Sequence, residues 1–401
     1  MKFEDMNIDE NVLSSLKDIG FENPTRIQLE TIPLIKEGYD VIGQSETGSG
    51  KTAAFGIPLI EKMVKGHGLQ ALILAPTREL AQQTASELIK FSRHKGLFIQ
   101  TVYGGVSMEP QVFGLRKAEI VVGTPGRILD HMWRGNVETN NLKIFVLDEA
   151  DEMIDMGFIE DIEEIERNIP KERQTLLFSA TMPECLIGMR EKFTKNARKI
   201  RTNTKVKEEL LKQYYCDIDQ GRKFSLLVHL INEEKPQLSI IFCNSRRDAN
   251  MVAVNLQTNG INADVLHGGL TQSRRDFVIQ NFHKRVIKVL VATDVAARGL
   301  DIKNVTHIFN YSIPKNSEDY VNRIGRTARA GESGKAISLL TREDHVAFQR
   351  ILRDFRYEVE RLEVSDFKIL PFDTGRSHEF SERRSFGRFG HRGFGRNIHR
   401  R

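Results

Sequence analysis

Short apolar runs alternate along most of the chain with longer segments in which apolar residues recur every three or four positions. In the first half the runs predict strands over 40–43, 71–75, 98–103, 119–123, 144–148 and 175–179. Near-continuous apolar strands separated by helical segments predict a parallel sheet buried on both faces. After Thr181 the pattern lapses into the basic stretch "KFTKNARKIRTNTKVKEE", which lacks apolar runs. It resumes with predicted strands over 238–243, 263–267, 287–293, 306–311 and 335–340. The fold class is therefore α/β: two tandem parallel-sheet domains with helices on both faces, residues 1–205 and 206–365, with the boundary near 202–209. Open sheets of this kind bind ligands beyond the carboxyl ends of their strands, so two such domains leave a cleft there.

Composition narrows the class. A chain of 401 residues, 40% hydrophobic and 28% charged, is long enough for two cores and has the balance of a soluble globular protein. Cys185, Cys216 and Cys243 show no paired spacing, which argues against a disulfide framework or zinc ribbon and fits a reducing compartment. The acidic start "MKFEDMNIDE" has no apolar core of signal length, and no run reaches membrane-spanning length, so a cytoplasmic protein without membrane partners is expected. The net charge of +5 is unevenly placed. Eight arginines against two glutamates give residues 374–401 a charge of +6, leaving −1 for residues 1–373. Residues 366–401 are expected to form a disordered basic tail, since "RSFGRFGHRGFGR" (384–396) offers little beyond Phe to bury. Its arginines suit phosphates and its Phe rings suit unpaired bases, while a solvating or protein-binding tail stays open as an alternative.

Two motifs carry chemistry. "GQSETGSGKTAAFGIPL" follows the first predicted strand and opens a helix. In its core, Thr47, Gly48, Ser49, Gly50, Lys51 and Thr52, the glycines let the backbone fold around an anion. Lys51 suits the β and γ phosphates of ATP and the Thr52 hydroxyl suits Mg²⁺. Ser45 stands where such loops usually begin with Gly. The second motif, "VLDEADEM" (146–153), crowds four carboxylates at the end of an apolar strand. Such a cluster is either a solvated turn or one neutralised by a cation. With a phosphate loop in the same domain, the second reading is preferred: Asp148 reaches the metal and Glu149 positions or activates the attacking water.

Taken with "PTRELA" (76–81), "TPGR" (124–127), "SAT" (179–181), "HGGLTQSRR" (267–275), "ATDVAARGLD" (292–301) and "RIGRTARAG" (323–331), the chain resembles the DEAD-box ATP-dependent RNA helicases, bacterial members of helicase superfamily 2, over about residues 1–365. The resemblance implies two RecA-like domains, ATP and Mg²⁺ as cofactors, and RNA as partner. Within "GFENPTRIQ" it implies that Phe21 stacks on adenine, backed by Phe3, and that Gln28 bonds the base edge, for which an amide's donor and acceptor are suited. Arg326 and Arg329 are implied to be arginine fingers and Asp294 to lie near the ribose. From residues alone, "RIGRTARAG" reads equally as a basic helix end with a turn. The resemblance also implies backbone contacts to RNA at Pro76, Thr77, Arg78, Gly105, Thr124 and Arg127 in the first domain and at Gln272, Arg275 and Thr293 in the second. Ser179 and Thr181 are implied to couple the ATP and RNA sides.

Three positions depart from the family pattern: Ser45 for the usual Ala, Ala328 for Gly, and Asn322 for a His in the coupling network. The activity implied is local unwinding of short duplexes, or remodelling of RNA–protein complexes, as ATP closes the two domains on single-stranded RNA. A clamp or annealing chaperone with ATP-timed release is the alternative, and a DNA helicase or translocase a third. Ribosomal or RNA-decay proteins are the expected class of protein partner.

Overall fold

The computed structural model describes residues 1–45, 48–182, 184–202, 210–297, 304–328, 333–355, 358–364 and 366–374. The first sheet comprises β1 (Val41–Gln44), β2 (Ala71–Leu74), β3 (Ile99–Val102), β4 (Ile120–Gly123), β5 (Ile144–Leu147), β6 (Gln174–Ser179) and β7 (Arg198–Arg201), in the order β3-β4-β2-β5-β6-β1-β7. The second comprises β8 (Leu211–Asp217), β9 (Ser239–Phe242), β10 (Ala263–Leu266), β11 (Val289–Ala292), β12 (His307–Asn310), β13 (Gly334–Leu340) and β14 (Glu360–Arg361), in the order β10-β11-β9-β12-β13-β8-β14. The strands of each sheet pair in parallel, and the second order is the first with every number raised by seven.

Each sheet separates two apolar layers. In the first, Val41, Ile73, Val122, Val146 and Phe178 face one side while Ile42, Leu72, Val121, Phe145 and Leu177 face the other. This is the double-sided burial that continuous apolar runs imply, and each buried Leu, Ile or Phe contributes about 1.5–3 kcal/mol. All eleven predicted strands are present. The three that the pattern did not reveal have weak apolar signals for physical reasons. Strand β7 is an edge strand with its arginines exposed, and only Ile200 packs inward; charged edges of this kind block further strand pairing. Strand β8, "LKQYYCD", buries Gln213, whose carbonyl accepts from the Tyr320 hydroxyl at 2.9 Å. Strand β14 is two residues long.

Packed chain also continues past the boundary expected at 365. The Phe372 ring lies 5.0 Å from that of Phe224, and Phe367 sits between His229 and the Arg222 guanidinium. The Asp373 N–H donates to Asn255 Oδ1 (2.8 Å) while Asn255 Nδ2 donates to the Asp373 carbonyl (3.0 Å). The arginine-rich stretch 384–396 lies outside the described residues. Among the described residues no helix is long and apolar enough to cross a membrane.

Candidate active site

The phosphate loop grows out of the sheet's carboxyl edge. Strand β1 ends at Gln44, the Ser45 N–H donates to the Ser179 carbonyl (3.0 Å), and a helix begins at Lys51. Gly48 and Gly50 hold φ of 83° and 92°, where a side chain is strained, and a Cβ on Gly50 would run into the Gln28 amide. Ser49 Oγ is buried without a hydrogen-bond partner. Thr47 lies outside the described residues; Thr52 occupies the first turn of the helix. Lys51 is 5% exposed, and its ammonium donates to the Ser45 carbonyl (3.0 Å) and meets Glu149 Oε1 at 3.2 Å.

Strand β5 delivers the acidic cluster to that ammonium. Glu149 caps the helix Ala150–Asp155 from a left-handed backbone (φ 52°), a conformation costing about 1–2 kcal/mol for a residue with a Cβ, which here aims its carboxylate at Lys51. Asp148, Glu149 and Asp151 are all nearly inaccessible. Burial and the neighbouring Glu149 push Asp148 up to about 7, against the opposing pull of Lys51. Burial works against the Lys51 charge, but Glu149, Asp151 and Asp148 outweigh it and hold its pKa above the ordinary value. Asp151 Oδ2 accepts from the Thr181 N–H (2.7 Å) and hydroxyl (2.9 Å), while Ser179 Oγ accepts from the Asp151 N–H (3.3 Å) and donates to the Thr181 carbonyl (2.6 Å). The acidic stretch is thus a buried network and not a solvated turn. Several buried carboxylates against one ammonium suit a divalent cation. Among the described residues no three His, Cys, Asp or Glu side chains are grouped to hold a metal on their own.

The acidic cluster carries a pH dependence. Because the folded-state value of Asp148, about 7, lies above its ordinary 3.8, the folded chain keeps a proton between these values that the unfolded chain has released. For this group stability is highest at low pH, falls as pH rises through that window, and carries the full penalty above it. In metal-free buffer the parent chain should lose more melting temperature between pH 5 and pH 8 than an Asp148→Asn variant. Equal losses in the two proteins would refute the assignment.

The segment implied to hold the base is preordered. The Phe21 ring, 38% exposed, lies between Phe3 (6.1 Å) and Phe91 (5.6 Å), leaving an edge accessible. Gln28 is buried with both amide atoms engaged: Oε1 accepts from the Thr25 N–H (2.9 Å) and Nε2 donates to the Gly50 carbonyl (3.0 Å). Gln28 therefore joins the base segment to the phosphate loop through a helix cap.

In the second domain Arg323, to which the motif reading assigned no role, is the organising side chain. At 1% exposure it grips both Asp294 oxygens (2.6 and 2.8 Å), Asn244 Oδ1 (2.9 Å) and the Ser312 carbonyl (2.5 Å), with its guanidinium over Phe242. Asp294 is thereby fixed at a concavity that Asn322, Arg326, Asp319 and Ala297 also line. Ala328 sits at φ 54°, beside the expected finger Arg329, which lies outside the described residues. The signal for Arg323 was an arginine one helical turn before Arg326; its burial could not be read from spacing.

Residues expected along the RNA rim also meet across the domains. Arg78 Nη1 donates to Gln272 Oε1 (2.9 Å), and Arg275 Nη2 lies 2.8 Å from Glu79 Oε1 with both side chains largely buried. The latter is an ion pair without aligned hydrogen-bond geometry. Gly105, at φ 79°, leaves room for the Arg78 guanidinium, and Arg127 donates to the Val106 carbonyl. Thr77 caps the helix Arg78–Phe91 through the Leu80 N–H (3.2 Å); Pro76 precedes it. Thr124 and Thr293 begin helices after β4 and β11. Glu79 was not singled out by its motif, because nothing local marks it as a cross-domain partner.

Known proteins match at the same segments. Residues 25–187 match the DEAD/DEAH box helicase model and residues 222–331 the helicase conserved C-terminal domain. A DEAD-box ATP-dependent RNA helicase CshA from Geobacillus kaustophilus is 44% identical over 363 residues, 90% of this chain and 78% of the relative. Saccharomyces cerevisiae Dbp5 bound to RNA and ADP BeF3 is 31% identical, covering 95% of this chain and 98% of its own, with a TM-score of 0.82. A Dbp5 variant bound to Nup159, Gle1, IP6 and ADP, also 31% identical over 90% of this chain and 96% of its own, scores 0.65. The order and spacing of the motifs, the doubled parallel-sheet fold and the match over most of the chain give one conclusion: this chain belongs to the DEAD-box ATP-dependent RNA helicases.

Proposed function

We propose that ATP and RNA binding close the two domains of this helicase on single-stranded RNA, opening a few base pairs of a short duplex locally, and that hydrolysis reopens them. The observation that carries this reading is the cross-domain pairing of Arg78 with Gln272 and of Glu79 with Arg275, which couples the two halves of the rim. It is supported by the higher TM-score to Dbp5 in its RNA and ADP BeF3 complex than to the Dbp5 variant with ADP at equal identity. ATP would place its phosphates in the loop Gly48–Thr52, and Thr52 and Asp148 would hold Mg²⁺, which would supply charge neutralisation at the phosphates. Glu149 takes the proton of the attacking water, and Arg326 and Arg329 meet the phosphate charge from the second domain. RNA backbone crosses Pro76, Thr77, Arg78, Gly105, Thr124, Arg127, Gln272, Arg275 and Thr293, where A-form geometry and 2′-hydroxyls favour RNA over DNA. Ser179, Thr181 and Asn322 couple the two sites.

The test is ATP hydrolysis with and without single-stranded RNA or a DNA oligomer, alongside strand displacement on short RNA duplexes. RNA-selective stimulation together with strand separation is expected. Binding without separation would replace this reading with a clamp, and equal stimulation by DNA would replace it with a DNA-directed motor.

A further inference from the structure

Two buried hydroxyls on neighbouring strands take no part in the nucleotide site or the RNA rim. Ser45 follows β1 and Thr202 follows β7, the strand beside it. The Gln44–Arg201 register and the Thr202 N–H bond to the Gln44 carbonyl (3.0 Å) extend the ladder to this pair. Residues in register on adjacent parallel strands project to the same face, with their strands about 4.7–4.9 Å apart. That face is the one lined by Val41 and Ile200. Ser45 is 2% exposed and Thr202 4%, and neither hydroxyl oxygen has a hydrogen-bond partner. A buried hydroxyl without a partner destabilises a fold, whereas a methyl group in the same place does not. Two such groups side by side therefore call for a shared partner.

Their connections give that partner a use. The Ser45 carbonyl holds the Lys51 ammonium, and the Ser45 N–H is bonded to Ser179 of the coupling network. Thr202 is the last described residue of the first domain before the connection to β8. We propose that Ser45 and Thr202 hold one water molecule between their hydroxyls, and that this bridge ties the base of the phosphate loop to the strand entering the interdomain connection. Each hydroxyl has one donor and two acceptor sites, so a single water can donate to one and accept from the other. The use of the bridge rests on the proposed function, in which triphosphate competes with the Ser45 carbonyl for Lys51. The shift at Ser45 then reaches Thr202 through the bridge and biases domain closure. Ser45 and Thr202 are positioning residues in this scheme. Ala, usual in the family at position 45, has no hydroxyl to take part.

The full-length chain, Ser45→Ala, Thr202→Val and the double variant would be compared by nucleotide-free melting and by ATP hydrolysis at saturating RNA. Each single variant is expected to melt slightly below the parent, because the hydroxyl left behind loses its partner, with the double variant returning toward the parent, and to lose about threefold or more in RNA-stimulated kcat at little-changed KM for ATP. The double variant should lose no more than the worse single one, because the bridge fails once either end is gone. Ser45→Thr and Thr202→Ser, which keep the hydroxyls, should recover most of the rate. Unchanged kcat in both singles, multiplying rate losses in the double, or a double variant that melts below both singles would each overturn the bridge. A parent chain that RNA fails to stimulate would overturn the functional reading and the bridge with it. A stimulated parent with unaffected variants overturns the bridge alone.

Discussion

Replacing Glu149 by Gln should lower ATP turnover by about 10²–10⁴-fold, the range for losing a positioned general base, while nucleotide affinity stays within a few fold. The geometry separates the two quantities. Gln keeps the shape of Glu and a carbonyl oxygen for Lys51, 3.2 Å away, so the phosphate loop retains its neighbour. What disappears is the carboxylate that the left-handed backbone at φ 52° places at the end of β5. Glu149 also raises the pKa of Asp148, so the variant should ionise Asp148 at lower pH. Single-turnover hydrolysis at saturating RNA, with equilibrium binding of a nucleotide analogue, measures both effects. Turnover within tenfold of the parent would remove Glu149 from the chemistry.

The second large effect should arise far from the phosphates. Arg275→Met or Glu79→Gln removes one member of the buried cross-domain ion pair, and such a loss costs about 3–5 kcal/mol because the remaining charge stays desolvated. If closure carries that cost, the closed population falls by about 10²-fold or more, and RNA-stimulated hydrolysis falls with it. RNA-independent hydrolysis should fall less. The reversed pair, Glu79→Arg with Arg275→Glu, should recover part of the loss. Full RNA stimulation in both single variants would show that the contact is incidental to closure.

The two predictions differ in how far they could be foreseen from the residues. Strands β1, β2, β4, β5 and β6 carry continuous apolar runs because both faces of a central strand are covered, and central burial writes itself into sequence. The phosphate loop and Glu149 follow such strands directly, so position along the chain nearly equals position in the site. Strand β7 hides because its exposed positions carry Arg and Lys, leaving one apolar residue to mark it, whereas the edge strands β3 and β10 keep enough apolar residues to be read. Glu79, Arg323 and the Ser45–Thr202 pair were hidden for another reason. Their meaning lies in what faces them across a sheet or domain boundary, and neither spacing nor residue type encodes that. Gln28 was recognised for its chemistry, but its engagement with both Thr25 and Gly50 is a tertiary fact.

The shared strand order of the two sheets makes their positions comparable one by one. A fold built twice on one plan contains two equivalent positions at the start of the helix after the first strand of each copy. Lys51 occupies the first and Lys223 the second. Lys223 is also buried, but its ammonium is satisfied within its own domain by Asp344 at 3.2 Å and lies over the Tyr311 ring. The two lysines thus hold equivalent places in the two sheets with different counter-ions: Glu149, from the acidic cluster that follows a central strand, in the first, and Asp344, from beyond strand β13, in the second.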